Sequence, residues 1–175
     1  MPKIMTTFHF ELMTLLFKLR DLFFPRANVL REVGIRPGSH VLDFGCGPGH
    51  YVAPLAALVG ASGIIYALDI HSRAIEKVSR LAERKKLYNV RTIQSDRETS
   101  LPMDSIDFVL LYDVFHMLED QVAVLKELHR VLKTTGLLSF SDHHMKDREI
   151  VPRVTESGLF RLAGKGRKTY TFYKL

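Results

Sequence analysis

The run Val-Leu-Asp-Phe-Gly-Cys-Gly-Pro-Gly at 41–49 places Gly45, Gly47 and Gly49 at alternate positions directly after a short apolar stretch. Glycines at such a point permit a sharp turn and let a ligand approach the backbone closely. Asp43 lies two residues before Gly45, and Asp69 closes the next apolar stretch, 24 residues after Gly45. An acid at the second position can accept hydrogen bonds from both hydroxyls of a ribose. A pyrophosphate would be repelled by Asp43, and the GxGxG spacing departs from the GxGxxG of dinucleotide-binding loops. The chemistry that fits is a nucleoside cofactor carrying positive charge and no phosphate. S-adenosylmethionine, with its sulfonium and ammonium groups, has both properties.

Such a site needs strands that deliver the acids and helices that cover them. Apolar runs at His40 to Phe44, Ile64 to Asp69, Val90 to Gln94, Ile106 to Tyr112 and Leu137 to Ser141 read as strands. Helices are expected over 50–59, from a Ser72 cap to about Leu87, from an Asp120 cap to Lys133 with Gly136 closing it, and over 146–157. Leu159 to Ala163 and Thr169 to Tyr173 flank Gly164 and Gly166 and read as an antiparallel hairpin. The alternation predicts an α/β fold: a Rossmann-like, doubly wound, seven-stranded, mostly parallel sheet with helices on both faces and a C-terminal antiparallel β-hairpin. Ahead of it, Phe8, Leu12, Leu15, Leu16, Leu19 and Phe23 fall at helical spacing up to Pro25, and a shorter helix runs from Arg26 to Val33. Residues 1–34 are expected to form a helical cap or lid and 35–175 the catalytic unit, as one domain overall.

The segments VLDFGCGPG (41–49), IIYALDIHSRAIEKV (64–78), QSDRETSLPMDSIDFVLLYDVFHML (94–118) and ELHRVLKTTGLLSFSD (127–142) together resemble class I S-adenosylmethionine-dependent methyltransferases. The similarity is greatest to the broad family that includes the quinone-biosynthesis C-methyltransferases, and it spans about residues 25–175. The resemblance implies that Asp43, Gly45, Cys46, Gly47 and Gly49 surround the methionine part of the cofactor. It implies that Asp69 holds the ribose, with Ile70 beside the adenine, Asp96 and Arg97 at the adenine ring, and Tyr112 and Asp113 at the methionine end. It leaves the methyl acceptor open. Tyr112-Asp113-Val114-Phe115 replaces the Asn/Asp-Pro-Pro-aromatic run typical of base and amide N-methyltransferases, and Cys46 alone cannot serve an arsenite methyltransferase.

His116 and His143 follow strands whose C-terminal ends would meet this pocket, so with Asp113 they are the candidate acceptor-side residues. Acidic neighbours favour a protonated imidazole, which is no base, so contact and positioning are the expected roles ahead of base catalysis. His143 and His144 would point to opposite faces of an extended chain, there is no HExxH pattern, and no metal is expected.

The composition is that of a globular domain, with 46% hydrophobic and 25% charged residues. The net charge is +6, but residues 41–70 carry −2 and 96–145 carry −5, so the acidic blocks coincide with the expected site. The basic residues fall on outer helices and the tail, where solvated faces explain them without nucleic acid. Glu11, Lys18, Arg20 and Asp21 interrupt the N-terminal apolar run, which therefore reads as neither a membrane span nor a signal peptide, and a cytoplasmic protein is expected. A peripheral membrane contact is the other reading of that helix. The expected partner is a small-molecule acceptor. The competing readings are a non-catalytic S-adenosylmethionine-binding module, an enzyme acting on RNA or protein, and an NAD(P)-binding oxidoreductase, the last disfavoured by Asp43 and the terminal hairpin.

Overall fold

In a computed structural model of the protein, residues 26–175 are described; the helix expected over 8–24 lies outside them. The apolar runs become strands β1 (His40–Phe44), β2 (Ile64–Asp69), β3 (Val90–Gln94), β4 (Ile106–Tyr112) and β5 (Leu132–Ser141), and the hairpin becomes β6 (Phe160–Lys165) and β7 (Tyr170–Lys174). The helices are α1 (Arg26–Arg31), α2 (Val52–Val59), α3 (Ser72–Lys85), α4 (Gln121–Val131) and α5 (Asp147–Thr155). The strands form one seven-stranded sheet in the order β3-β2-β1-β4-β5-β7-β6. Strands β1 to β5 pair in parallel, and β7 runs antiparallel to both β5 and β6. This is the Rossmann-like arrangement read from the sequence. The winding reverses between β1 and β4, the point at which open α/β sheets bind their ligands.

Both faces of the sheet are covered, as side-chain alternation along a strand requires. On β1, Val41 joins the cluster formed with Leu30, Leu55 and Val59 of α1 and α2, while Leu42 and Phe44 join Leu125, Leu128 and Val154 of α4 and α5. Cys46, Val52, Ala67 and Val78 fill the space between α2, α3 and β2. The described part of segment 1–34 packs into the same core, since Leu30 and Val33 are buried against Val41.

Two local expectations change. The cap of α3 is His71, not Ser72: its Nδ1 accepts the Arg73 N–H at 3.2 Å. Asp120 does cap α4, accepting from the Ala123 N–H at 2.9 Å, but the helix stops at Val131 rather than Lys133. Leu132 turns extended, is fully buried and pairs with Ile106 of β4, so burial against the sheet overrides helix propensity. Gly136 lies inside β5, where a Cβ would come within 2.8 Å of the Leu132 side chain.

A polar network fixes the loop between β3 and β4. Glu127 of α4 accepts from the Thr99 N–H at 3.0 Å and the Thr99 hydroxyl at 2.5 Å, and Arg130 donates to Glu127 at 2.7 and 2.8 Å and to the Leu101 carbonyl at 2.9 Å. The hydrogen bonds from Arg130, and then those from Thr99, hold the Glu127 carboxyl at about 2 despite its partial burial. An acid depressed in the fold stabilises it above the unfolded value of about 4.3, and the contribution is lost as pH falls toward the folded one. Glu127→Gln should therefore cost about 1–3 kcal/mol near neutral pH in urea unfolding. Its deficit against the parent should shrink as pH falls from about 4 to about 2.

Candidate cofactor and acceptor site

The loop after β1 is clamped onto the end of β2. Gly45 and Cys46 donate their N–H groups to the Leu68 carbonyl at 2.8 and 2.9 Å. Gly45, Gly47 and Gly49 all have positive φ, at 79°, 52° and 85°. A Cβ on Gly45 would lie 2.9 Å from the Val114 side chain, so the loops after β1 and β4 touch there, whereas a Cβ on Gly47 would meet nothing within 4 Å. Open space thus lies over Gly47.

Two carboxylates flank that opening. Asp43 is buried at the end of β1. Asp69, at the end of β2, accepts the Gly47 N–H on one oxygen at 2.9 Å and the His71 N–H on the other at 2.8 Å. Each oxygen retains a second lone pair. Burial pushes the Asp69 carboxyl above its ordinary value, against the pull of these two bonds. Burial first, then Asp43 and Asp69, push the Cys46 thiol well up. Asp43 and Asp69 thus both act on the Cys46 position from either side of the loop. Ile70 follows Asp69 and is half-buried. Asp96 and Arg97 are exposed on the loop after β3, which the Ser95 N–H ties to the Asp69 carbonyl at 3.1 Å.

Across the cleft, the ends of β4 and β5 carry the imidazoles. His116 Nδ1 sits 2.9 and 2.8 Å from the two oxygens of Asp142, whose second oxygen also accepts the His116 N–H at 3.1 Å. The Asp142 side chain is fully buried, and its first oxygen accepts the His144 N–H at 3.1 Å. His143 Nδ1 lies 2.6 Å from Asp113 Oδ1, which also accepts the His143 N–H at 3.1 Å. Asp113 has a φ of 55°, a left-handed conformation uncommon outside glycine but better tolerated by aspartate than by most residues, and donates its own N–H to the Ser141 carbonyl at 2.7 Å. Tyr112 is buried, with its hydroxyl 2.7 Å from that of Ser139 and its ring edge-on to Tyr51 at 5.1 Å. Burial pushes its phenol well up, and Tyr51, Asp43 and Glu32 add to the effect.

The sequence reading placed His143 and His144 on opposite faces. Beyond Ser141 the chain turns instead of staying extended, and the two rings lie 3.9 Å apart, with His144 also 4.3 Å from His116. Among the described residues no three His, Cys, Asp or Glu side chains are placed to hold a metal ion. Asp142, which the sequence motifs do not single out, is the partner of His116. Its position directly after an apolar strand, matching Asp113 after β4, was the available signal for a partner to His116.

Residues 35–171 match the family described as a methyltransferase domain. The demethylmenaquinone methyltransferase of Geobacillus stearothermophilus is 28% identical over 130 residues, 74% of this chain and 56% of that protein, so the chain spans about half the length of such relatives. A crystal structure of an S-adenosylmethionine-dependent methyltransferase from Aquifex aeolicus superposes with a TM-score of 0.75 at 26% identity, covering 90% of this chain and 96% of that one. A structure from Methanococcus maripaludis superposes with a TM-score of 0.78 over 99% and 96% of the two chains; at 15% identity it speaks to the fold alone.

The glycine loop makes a graded prediction. Gly47→Ala should cost about 1–2 kcal/mol, from the left-handed backbone only. Gly45→Ala should cost about 1–3 kcal/mol beyond that, because its Cβ also overpacks against Val114. Urea unfolding of the two variants should show this order.

Proposed function

The chain belongs to the methyltransferase-domain family, and from that membership we propose that it transfers a methyl group from S-adenosylmethionine to a small-molecule acceptor. The observation that carries this reading is the pair Asp43 and Asp69 beside the open Gly47 backbone at the point where the sheet's winding reverses. The residues fit the cofactor: buried negative charge for a sulfonium and an ammonium, and a carboxylate with two lone pairs to spare for a ribose diol. When bound, S-adenosylmethionine supplies an electrophilic methyl group.

We assign Asp43, Gly45, Cys46, Gly47 and Gly49 to the methionine part, with Tyr112 flooring that end. Asp69 takes the ribose, Ile70 borders the adenine, and Asp96 and Arg97 meet its edge. The acceptor side falls to Asp113, His116 and His143. Orientation of the two reactants is the largest contribution available to this chain, up to about 7–11 kcal/mol when atoms are well aligned. A small-molecule acceptor is supported by the names of the demethylmenaquinone methyltransferase relatives.

Segment 1–34 is assigned as the cover of this cleft. Glu32, just after α1, accepts from the Lys168 and Thr169 N–H groups at 3.1 and 3.2 Å and adds to the upward push on the Tyr112 phenol, so the end of the segment is anchored to the fold near Tyr112. Among the described residues no helix is long and apolar enough to cross a membrane. Removing residues 1–24 should leave the unfolding transition in place and weaken cofactor binding. Full binding and turnover with loss of liposome association would instead make the helix a membrane contact.

Calorimetry tests the central reading. S-adenosylhomocysteine should bind and NAD should not. Asp69→Ala should weaken S-adenosylhomocysteine about tenfold or more, through the loss of two hydrogen bonds to a charged acceptor. Because burial raises the Asp69 carboxyl, affinity should fall on acidification sooner than an ordinary aspartate would allow, since protonation removes an acceptor from the ribose hydroxyls. NAD binding without S-adenosylhomocysteine binding would refute the proposal.

A further inference from the structure

The two aspartate–histidine pairs are not equivalent. The Asp142 side chain is fully buried and His116 is about one-quarter exposed, whereas the Asp113 side chain is 24% exposed and its partner His143 54%. Three N–H contacts from His116 and His144 converge on the Asp142 carboxylate, which leaves it little freedom to move. A carboxylate is an acceptor only, so a neutral His116 facing it carries its proton on Nδ1. Its Nε2 then holds a bare lone pair. The imidazole is fixed from both sides, by the carboxylate at Nδ1 and by the His144 ring 4.3 Å away.

We propose that His116 is the general base of the transfer reaction, that Asp142 is the residue that positions it, and that the acceptor is therefore a phenol or enol. This deepens the methyltransferase reading and rests on it. The acceptor hydroxyl gives its proton to Nε2. Its oxygen electron pair forms the new bond to the methyl carbon as the carbon–sulfur bond breaks, and that bond's electron pair stays on sulfur. The imidazolium, paired with Asp142, then releases the proton to solvent. An imidazole, with a pKa of about 6.5, can deprotonate a phenol near 10 within catalytic reach. A neutral amine already carries its lone pair and depends on a fixed base less than a hydroxyl does. The groups that face His116 are Asp142 and His144, with His143 and Asp113 behind His144.

Two measurements test this. Long-range proton–nitrogen NMR on the whole chain should show the neutral His116 ring protonated at Nδ1 and bare at Nε2, with Asp142→Asn shifting that balance. A proton resident on Nε2 in the parent protein would overturn the proposal without any acceptor in hand. The second is a panel of size-matched phenols, enols and amines with methyl-labelled S-adenosylmethionine. Turnover is expected with phenols or enols. His116→Gln should lower kcat about 10²–10⁴-fold and flatten the acid limb of the kcat/KM profile, with S-adenosylhomocysteine affinity within a few-fold. Asp142→Asn should lower kcat more than it changes KM and move the acid limb; His116→Gln guards against misfolding at that buried site. Methyl transfer confined to amines or absent from the panel, or a His116→Gln variant with the parent's rate and pH profile, overturns the assignment. Loss of S-adenosylhomocysteine binding by the parent protein would instead refute the cofactor reading beneath it.

Discussion

The close approach of Gly45 to Val114 joins the loops that follow β1 and β4, two strands already paired in parallel. A Cβ at residue 45 would lie 2.9 Å from the Val114 side chain, so only a glycine lets the loops after β1 and β4 come this close. That approach occurs where the sheet's winding reverses. It brings the loop that carries the glycines after β1 against the loop after β4 that leads to His116.

Much of this was legible because the signals are local. The glycine spacing, the acids at two strand ends and the alternation of apolar runs each follow from short-range rules, and the sheet they predict is the one observed. Asp120 caps its helix as its residue type suggests. Errors arose where tertiary contacts override local preference. Leu132 leaves the helix because it is fully buried against β4. The cap of α3 shifts by a local choice instead: the His71 ring nitrogen, one residue before Ser72, accepts the Arg73 N–H.

The candidate site was legible as a set of residues and not as a set of pairs. Asp113 and His143 are 30 residues apart, and His116 and Asp142 are 26 apart. Periodicity cannot pair residues at such distances; only the register of β4 on β5, with Tyr112 opposite Ser141, brings the loops that follow into contact. The left-handed φ of Asp113 is likewise invisible in the sequence, since it depends on its N–H reaching the Ser141 carbonyl.

Four aspartates, Asp43, Asp69, Asp113 and Asp142, stand at the ends of the four adjacent strands β1, β2, β4 and β5. Such a row of like charge would be costly unless each member were compensated. Asp69 accepts two backbone N–H groups, Asp113 one and Asp142 two. The imidazoles of His143 and His116 then face Asp113 and Asp142. Compensation is therefore complete on the β4–β5 side within the protein itself. On the β1–β2 side, burial still raises the Asp69 carboxyl above its ordinary value, so its ionised form is held at a cost to stability. A ligand that brings positive charge to that side would lower the cost, and one that brings phosphate would raise it. The asymmetry divides the row into a half whose carboxylates orient imidazoles and a half whose Asp69 carboxyl is held up by burial.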